Sequence, residues 1–216
     1  MGIEGIDLGR YGSISLISIY VRPTNKVYSV DVQVLKGKAF TTTDDRGNSL
    51  KSILESTIPK VIFDVKKYSD ALFNLFQISV DGITDVQLME LALRKKGRKY
   101  FATLDSCVHN HSKLSGEQKY KWSMTKVGCD YEELNERPLR SEIIRYCVQN
   151  VTVLGCLWDI YNEGLKLPSQ AMWRCLIRET TKGRIAAAKG KHYKPQDSRK
   201  ALSPWHQEVI DDYIYN

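Results

Sequence analysis

The sequence lacks any long hydrophobic run, because no stretch of about eighteen consecutive apolar residues occurs among its 216 positions. A membrane-spanning helix needs such a run, so we expect no membrane association. The first twelve residues, MGIEGIDLGRYG, also lack the basic segment and following apolar segment of a secretory signal. Internal repeats and low-complexity tracts are missing as well, so we expect an ordinary globular chain.

Cysteines are few and do not form a disulfide framework. The chain contains five, an odd number, and they are not closely spaced in pairs. Such a pattern is more typical of free thiols in a reducing compartment than of an extracellular scaffold. We therefore expect a cytoplasmic or nuclear protein.

The composition is that of a soluble domain with an excess of positive charge. Apolar residues make up 42% and charged residues 26% of the chain, and the net charge is +7 with a pI near 9.1. Lysines and arginines cluster towards the C-terminus, which is the usual electrostatic footprint of a polyanion site. The alternative is a solvated helix face and tail. The candidate nucleic-acid-binding residues of this cluster are Lys182, Arg184, Lys189, Lys191, Lys194, Arg199 and Lys200.

A second candidate nucleic-acid surface lies in residues 113–138, which show little periodicity and are predicted to form a long loop with short helical pieces. Trp122 stands there beside Lys121, and aromatic rings interleaved with basic residues suit single-stranded nucleic acid. The alternative is a loop that its tryptophan packs onto the core.

Hydrophobic periodicity predicts strands first and helices later. An antiparallel hairpin is expected, then a strand–helix–strand–helix core, then helices, and this order favours a layered α/β domain with a mixed sheet. The predicted strands are 13–21, 27–35, 60–65 and a short one that starts the segment GITDVQLMELALRKK. The predicted helices are about 48–54, 69–78, the remainder of that segment, 98–112, 139–165 and 169–189.

Several segments in consistent order resemble one family. IEGIDLGRYGSISLISI, VYSVDV, KVIFDVKKYSDALFNLF, GITDVQLMELAL and EIIRYCVQNVTVL resemble the RNase D-like (DEDDy) branch of 3′–5′ exonuclease domains, in particular its eukaryotic and fungal members. The resemblance covers about residues 3–165. It implies an RNase H-like fold, with a five-stranded mixed sheet between helices. We accordingly expect an exonuclease-like domain at 1–167 and a helical, basic C-terminal extension at 168–216.

The resemblance also implies a particular chemistry. In this family four carboxylates hold two divalent metal ions, Mg²⁺ or Mn²⁺, about 4 Å apart around the scissile phosphate. The carboxylates come as Asp-x-Glu on the first strand, an Asp at the start of a helix, and the Asp of Tyr-x-x-x-Asp on a late helix. The tyrosine helps to orient the attacking water.

This sequence departs from the pattern at three of the four carboxylate positions. The first motif falls on Gly2 and Glu4, the second on Tyr68, and the third on Tyr146 and Asn150. A glycine offers no ligand, a neutral phenol is a poor Mg²⁺ ligand, and an amide cannot neutralise charge. We therefore predict an inactive exonuclease-like protein without a cofactor, in which no catalytic set is intact.

Residual roles are conceivable for several residues. Glu4 and Asp64 are candidate residual metal ligands, and Asp64 or Asp70 could rescue a one-metal site, although a turn or capping role would explain both aspartates. Tyr146 and Asn150 could contact a nucleotide, or they could form a satisfied polar pair.

Three functions follow from these alternatives. The first is a pseudonuclease adaptor that binds nucleic acid, single-stranded RNA rather than DNA, or a protein partner. The second is an active exonuclease with a non-standard site that uses Mg²⁺ or Mn²⁺. The third is a protein-interaction or homodimerisation module without a nucleic-acid role.

Overall fold

The computed structural model describes residues 1–127, 132–195, 202–205 and 210. Its strands are β1 (Gly2–Glu4), β2 (Leu16–Val21), β3 (Lys26–Asp31), β4 (Lys60–Ile62) and β5 (Ile83–Asp85). Its helices are α1 (Val32–Leu35), α2 (Lys38–Thr41), α3 (Leu50–Glu55), α4 (Val65–Phe76), α5 (Val86–Leu93), α6 (Leu104–His111), α7 (Gly116–Val127), α8 (Ser141–Leu165) and α9 (Ala171–Lys189). Single 3₁₀ turns occupy Arg22–Thr24, Glu132–Asn135 and Pro168–Gln170.

The strands combine antiparallel and parallel pairing. β1, β2 and β3 form an antiparallel sheet in that order, whereas β4 and β5 pair in parallel. The main-chain nitrogen of Met1 donates a hydrogen bond to the carbonyl oxygen of Val61 at 2.8 Å, which brings the start of β1 alongside β4. Five strands are thus present, but they form a three-stranded antiparallel sheet and a two-stranded parallel sheet that meet at this contact, and not the expected single five-stranded mixed sheet.

Helices cover the strands in two hydrophobic cores, as the predicted α/β layering requires. One core contains Ile3 of β1 and Leu72 of α4, and the other contains Leu88 of α5 and Leu157 of α8. Alternate residues of a strand point to opposite faces. Gly2 and Glu4 therefore lie on the face opposite Ile3, where α8 crosses the sheet.

Two predicted strands end earlier than expected because aspartates redirect the chain. β3 stops at Asp31, whose carboxylate accepts a hydrogen bond from the Val34 nitrogen at 3.1 Å and starts α1. β4 stops at Ile62, because the carboxylate of Asp85 accepts the backbone N–H groups of Asp64 at 3.0 Å and Val65 at 3.2 Å. The predicted strands 27–35 and 60–65 are thus wrong over their last residues.

Two further boundaries differ from the sequence prediction. The helix expected at 98–112 is α6, which begins only at Leu104, after the hydroxyl of Thr103 caps it by accepting from the Ser106 nitrogen. The expected loop 113–138 contains α7, a twelve-residue helix. Trp122 is buried on α7, whereas Tyr120 and Met124 are exposed. Because one buried residue does not produce a repeating apolar pattern, the sequence shows no helical periodicity here.

The C-terminal helix packs onto the rest of the fold. α9 lies against α4, α5 and β5 and buries Leu176, Ile185 and Ala188. The Arg10 guanidinium donates to the carbonyl oxygens of Ala188 and Gly190, both at 2.9 Å. The predicted boundary between a domain at 1–167 and an extension at 168–216 stays a prediction. The buried side of α9 packs against helices of the preceding part of the chain.

Membrane helices and disulfides are both missing from the described ranges. No helix there is long and apolar enough to cross a bilayer. Cys107, Cys147, Cys156 and Cys175 are free thiols, as the sequence predicts, and Cys129 lies outside the described residues.

Candidate functional site

Glu4 and Asn150 form the centre of the site. Glu4 ends β1, and Asn150 lies on the side of α8 that crosses this strand, where only 8% of its surface is exposed. The Asn150 amide and the Glu4 carboxylate are joined by a hydrogen bond. Burial raises the pKa of Glu4 to about 7, and the hydrogen bond from Asn150 offsets only part of that shift. The carboxyl group is therefore only about half ionised near neutral pH.

Tyr68 and Gly2 complete the set of motif positions. Tyr68 of α4 is close enough to Glu4 that the negative charge of the carboxylate adds to the effect of burial and raises the pKa of the phenol, while a backbone hydrogen bond with Ile3 acts in the opposite direction. Gly2 is buried against α8, where an added Cβ would lie 3.1 Å from Cγ1 of Val151. The positions that the sequence analysis singled out thus converge on one place.

Tyr146 lies one turn before Asn150 on α8 and faces the interior. Its ring is buried in a cluster with Leu16, Leu134 and Ile143. The two side chains share a helix face, as their spacing predicts. Because both are buried, a nucleotide could stack on Tyr146 only after local rearrangement.

Asp64 and Asp70 are engaged by cations. The Asp70 carboxylate, fully buried, accepts hydrogen bonds from both the backbone nitrogen and Nε of Arg10 at 2.8 Å. Asp64 precedes α4, and its Oδ1 lies 3.7 Å from Nζ of Lys66 and 3.6 Å from Nη1 of Arg184. Both aspartates therefore have cationic partners. The predicted turn or capping role is wrong for both, because Asp70 lies inside α4 and the Asp64 side chain, although it precedes the helix, accepts no capping hydrogen bond.

Arg184, predicted to bind nucleic acid on an exposed basic face, is instead buried, with 7% of its side chain exposed. Nη1 donates to Oδ2 of Asp85 at 2.5 Å and to Oε1 of Gln87 at 3.2 Å. The guanidinium carbon lies 4.2 Å from the centre of the Phe101 ring. The prediction was wrong because Arg184 lies on the inner side of α9, where it neutralises a buried carboxylate. Asp85 and Arg184 are 99 residues apart, so no local signal indicates the pair.

The other basic candidates divide by exposure. Lys189 is half-buried, with Nζ 2.7 Å from Oγ of Ser79, whereas Lys182, Lys191 and Lys194 are exposed. Arg199 and Lys200 lie outside the described residues. Of the candidates on α7, Lys121 is exposed and paired with Glu117 at 2.7 Å.

Trp122 is a further correction to the predicted nucleic-acid surface. Only 5% of it is exposed, because its ring packs into the core beneath α7. It cannot serve as a stacking platform in this conformation.

A basic loop at residues 94–99, RKKGRK, was missed although its composition is visible in the sequence. Arg94 pairs with Glu90, and Arg98 donates to the carbonyl oxygens at the end of α5, whereas Lys95, Lys96 and Lys99 are exposed. The Ser203 nitrogen bonds to the Lys99 carbonyl oxygen at 2.9 Å. Beside this hydrogen bond, a cavity of about 660 Å³ is lined by residues of the loop and of 202–205.

The convergent residues do not suit a pair of hard divalent cations. Mg²⁺ and Mn²⁺ prefer several anionic oxygen ligands, whereas this place offers one carboxyl group with a raised pKa, an amide and a protonated phenol. Across the described ranges, no group of three or more His, Cys, Asp or Glu side chains is arranged to hold a metal ion.

Comparison with known proteins places this geometry in a family. Residues 4–166 match the family model of the 3′–5′ exonuclease domain. The piRNA biogenesis protein EXD1 of Bombyx mori is 25% identical over 179 residues, which span 81% of this chain and 52% of that protein. The chain thus spans about half the length of this curated relative.

Solved structures of Trypanosoma brucei proteins share the fold. RNase D in complex with RNA U12 has a TM-score of 0.73 at 16% identity, covering 98% of this chain and 70% of that one. The RNase D complex with GMP has a TM-score of 0.65 at 17% identity, covering 93% and 59%. The catalytic core of RRP6 has a TM-score of 0.55 at 15% identity, covering 92% and 49%. The chain thus has the RNase H-like α/β fold of these structures and, with the family model matched over residues 4–166, belongs to the 3′–5′ exonuclease domain family.

Proposed function

We propose that this protein binds single-stranded RNA without hydrolysing it and acts as an adaptor. The observation that carries the proposal is the hydrogen bond between Glu4 and Asn150, with Tyr68 nearby. The resemblance implies carboxylates at the positions of Asn150 and Tyr68. A neutral amide and a neutral phenol thus accompany a carboxyl group whose pKa is raised, a set that supports the loss of the metal site.

The charge requirement of the reaction supports this proposal. Two dications close together repel each other unless anionic ligands neutralise them, and hydrolysis needs both ions. Asn150 and Tyr68 contribute no negative charge near neutral pH, and Gly2 has no side chain. A carboxylate in place of Gly2 would also press on Val151.

Exposed lysines and the RNA-linked relatives support RNA as the partner. Lys182, Lys191 and Lys194 lie on and after α9, and Lys95, Lys96 and Lys99 lie on the basic loop. One fold relative was solved with RNA U12, and the Bombyx relative is a piRNA biogenesis protein. A protein partner and a homodimer stay predictions.

A nuclease assay tests the loss of catalysis. The protein and its variants Glu4→Ala and Asn150→Ala are incubated with 5′-labelled single-stranded RNA or DNA and Mg²⁺ or Mn²⁺. We expect no 3′ trimming. Trimming that disappears in Glu4→Ala would refute the proposal, whereas equal trimming by all three proteins would identify a contaminating nuclease.

Restoring the carboxylates tests why catalysis is lost. Asn150→Asp and Tyr68→Asp are combined with Gly2→Asp, and Val151→Ala is added to relieve the 3.1 Å approach. We expect electron paramagnetic resonance to detect Mn²⁺ bound to the combined variant and not to the parent protein. Equal Mn²⁺ binding by the parent would contradict the proposed loss of the metal site.

Salt dependence tests RNA binding. Binding of a fluorescent oligouridylate is measured by anisotropy over a range of salt concentrations. Each lost phosphate contact should reduce the slope of log K against log salt by about 0.7. We expect Lys95→Ala and Lys99→Ala to flatten the slope and Lys121→Ala, which removes a lysine paired with Glu117, to leave it unchanged. A slope near zero in the parent protein would exclude a phosphate-binding surface.

A further inference from the structure

We propose that a cavity between the start of α4, the end of α9 and residues 202–204 binds the phosphate group of a nucleotide. The cavity has a volume of about 690 Å³, which lies in the range of small-molecule sites. The side chains that carry the proposal are Lys66, Phe101, Arg184, His192, Tyr193 and Lys194.

The unsatisfied guanidinium of Arg184 points to an anionic ligand. Nη1 donates to Asp85 and Gln87, but within the described part of the chain the buried Nη2 has no hydrogen-bond partner. Leaving a charged donor unpaired in the interior is costly. Arg184 forms part of the cavity wall, although Nη2 itself has almost no accessible surface. A phosphate bound in the cavity would supply the missing acceptor once the adjacent Phe101 ring moves aside.

The local charge balance favours an anion. Among the described residues, Arg184, Lys66 and Lys194 are cations of the cavity wall, and Asp64 and Asp85 are the acidic groups that lie against Arg184. Asp85 is already saturated, since it accepts three backbone N–H groups in addition to Arg184. Burial lowers the pKa of Lys66, and a bound dianion would stabilise its charged form. Among the described groups, the cations of the wall outnumber these two carboxylates by one.

Aromatic rings beside these cations favour a nucleotide over inorganic phosphate alone. Phe101 lies 4.2 Å from the guanidinium carbon of Arg184 and 5.2 Å from the ammonium of Lys66. Tyr193 forms another part of the wall. Rings placed near phosphate-binding cations are the usual means of holding a base and its phosphate together.

The cavity is separate from the Glu4–Asn150 contact. None of the residues around it belongs to the motif positions, and Lys66 lies two residues before Tyr68 on α4, so the two side chains point to different faces of the helix. The inference therefore does not depend on whether the exonuclease reaction is lost.

Calorimetric titration of the full chain with uridine 5′-monophosphate, uridine and inorganic phosphate tests the inference. We expect saturable binding of the monophosphate, at least about tenfold weaker binding of uridine, and competition by inorganic phosphate. Absence of saturable binding by the monophosphate, or equal binding of uridine, would overturn the proposal.

Variants locate the binding. Lys66→Met and Lys194→Ala should each weaken the binding of uridine 5′-monophosphate by at least about fivefold, because each removes one charged partner of the phosphate. The matched control is Lys166→Ala, which removes an exposed lysine just after α8 that pairs with Glu163 and lies outside the cavity. Circular dichroism confirms folding of each variant. Unchanged affinity in both cavity variants, or an equal loss in the control, would refute the assignment.

The same phosphate chemistry could come from a free nucleotide or from the end of a strand. Oligouridylates with a 5′-phosphate or a 5′-hydroxyl are therefore tested as competitors of the monophosphate. Competition by the phosphorylated strand alone assigns the cavity to a strand end, and competition by neither strand assigns it to a free nucleotide. Equal competition by both strands would show that a terminal phosphate is not recognised and would overturn that part of the proposal.

Discussion

Glu4 of β1, partly buried, and Asp85 of β5, fully buried, are both carboxyl groups at strand ends, and they differ in what surrounds them. Asp85 meets the guanidinium of Arg184 and three backbone N–H groups. Glu4 meets the neutral amide of Asn150 and the phenol of Tyr68. Burial raises the pKa of both carboxyl groups, and at Asp85 the charge of Arg184 offsets part of that shift. The fold thus pairs one of these carboxyl groups with a cation and the other with neutral groups.

Removing the cation of the buried pair, Arg184, should have the largest effect on stability. Arg184→Met leaves Asp85 buried and unpaired, and we expect a loss of about 3–5 kcal/mol in the free energy of unfolding. Urea denaturation at pH 7 measures it. Asp85→Asn in the same chain removes the uncompensated charge and should recover part of the loss. Equal stability of Arg184→Met and the parent would show that the ion pair is not needed.

Glu4 should make stability depend on pH. Burial raises its pKa to about 7 in the folded protein from an ordinary value of 4.5, so the folded state binds the proton more tightly than the unfolded state does. The contribution of Glu4 to the free energy of unfolding is complete below pH 4.5 and is lost as the pH rises through 7. Between pH 5 and pH 8 we expect the stability of the parent relative to Glu4→Gln to fall by up to about 3 kcal/mol. The comparison with Glu4→Gln is needed because the buried amino group of Met1, with its pKa lowered to about 5, changes stability in the opposite direction over this range.

Chemical denaturation at several pH values measures this difference. Glu117→Gln is the matched control, because Glu117 is an exposed glutamate paired with Lys121. Parallel pH profiles for the parent and Glu4→Gln would contradict a raised pKa at Glu4.

Crowding at Gly2 should have a smaller effect. Gly2→Ala places a Cβ 3.1 Å from Cγ1 of Val151, and we expect a loss of about 1 kcal/mol. Val151→Ala removes that atom, so the double variant should lose less than the sum of the two single variants. Strict additivity in this double-mutant cycle would show that the two positions do not touch.

An exposed ion pair should have the smallest effect. Lys121→Ala removes the partner of Glu117, and both side chains are mostly exposed, at 72% and 75%. We expect less than about 0.5 kcal/mol, because water and salt screen such a pair. Urea denaturation measures the loss in the free energy of unfolding for Lys121→Ala and for Arg184→Met. The ratio of the two losses shows how strongly burial changes the stability that a charge pair contributes. Similar losses in the two variants would contradict the comparison.

The sequence predicted the α/β layering and the long helix around Asn150 because periodicity and turn residues are local signals. The resemblance predicted that Gly2, Glu4, Tyr68 and Asn150 come together, which the contacts of Glu4 with Asn150 and Tyr68 agree with. Helix α7 could not be predicted, since one buried tryptophan gives no period.

Arg184 shows a second limit of sequence reasoning. A count of basic residues treats each as exposed, and the partner that buries this one lies on β5. By contrast, the lysines of the loop 94–99 stand together in the sequence, and a scan of the whole chain for charge runs would have found them.

The hydrogen bonds of Arg10 join distant parts of the chain. This residue follows β1, binds Asp70 on α4, and also holds the carbonyl oxygen of Ala188, 178 positions later. Arg10 therefore ties the loop that leaves the Glu4 strand to the last turn of α9. Displacing the end of α9 would break these hydrogen bonds and loosen the attachment of that loop.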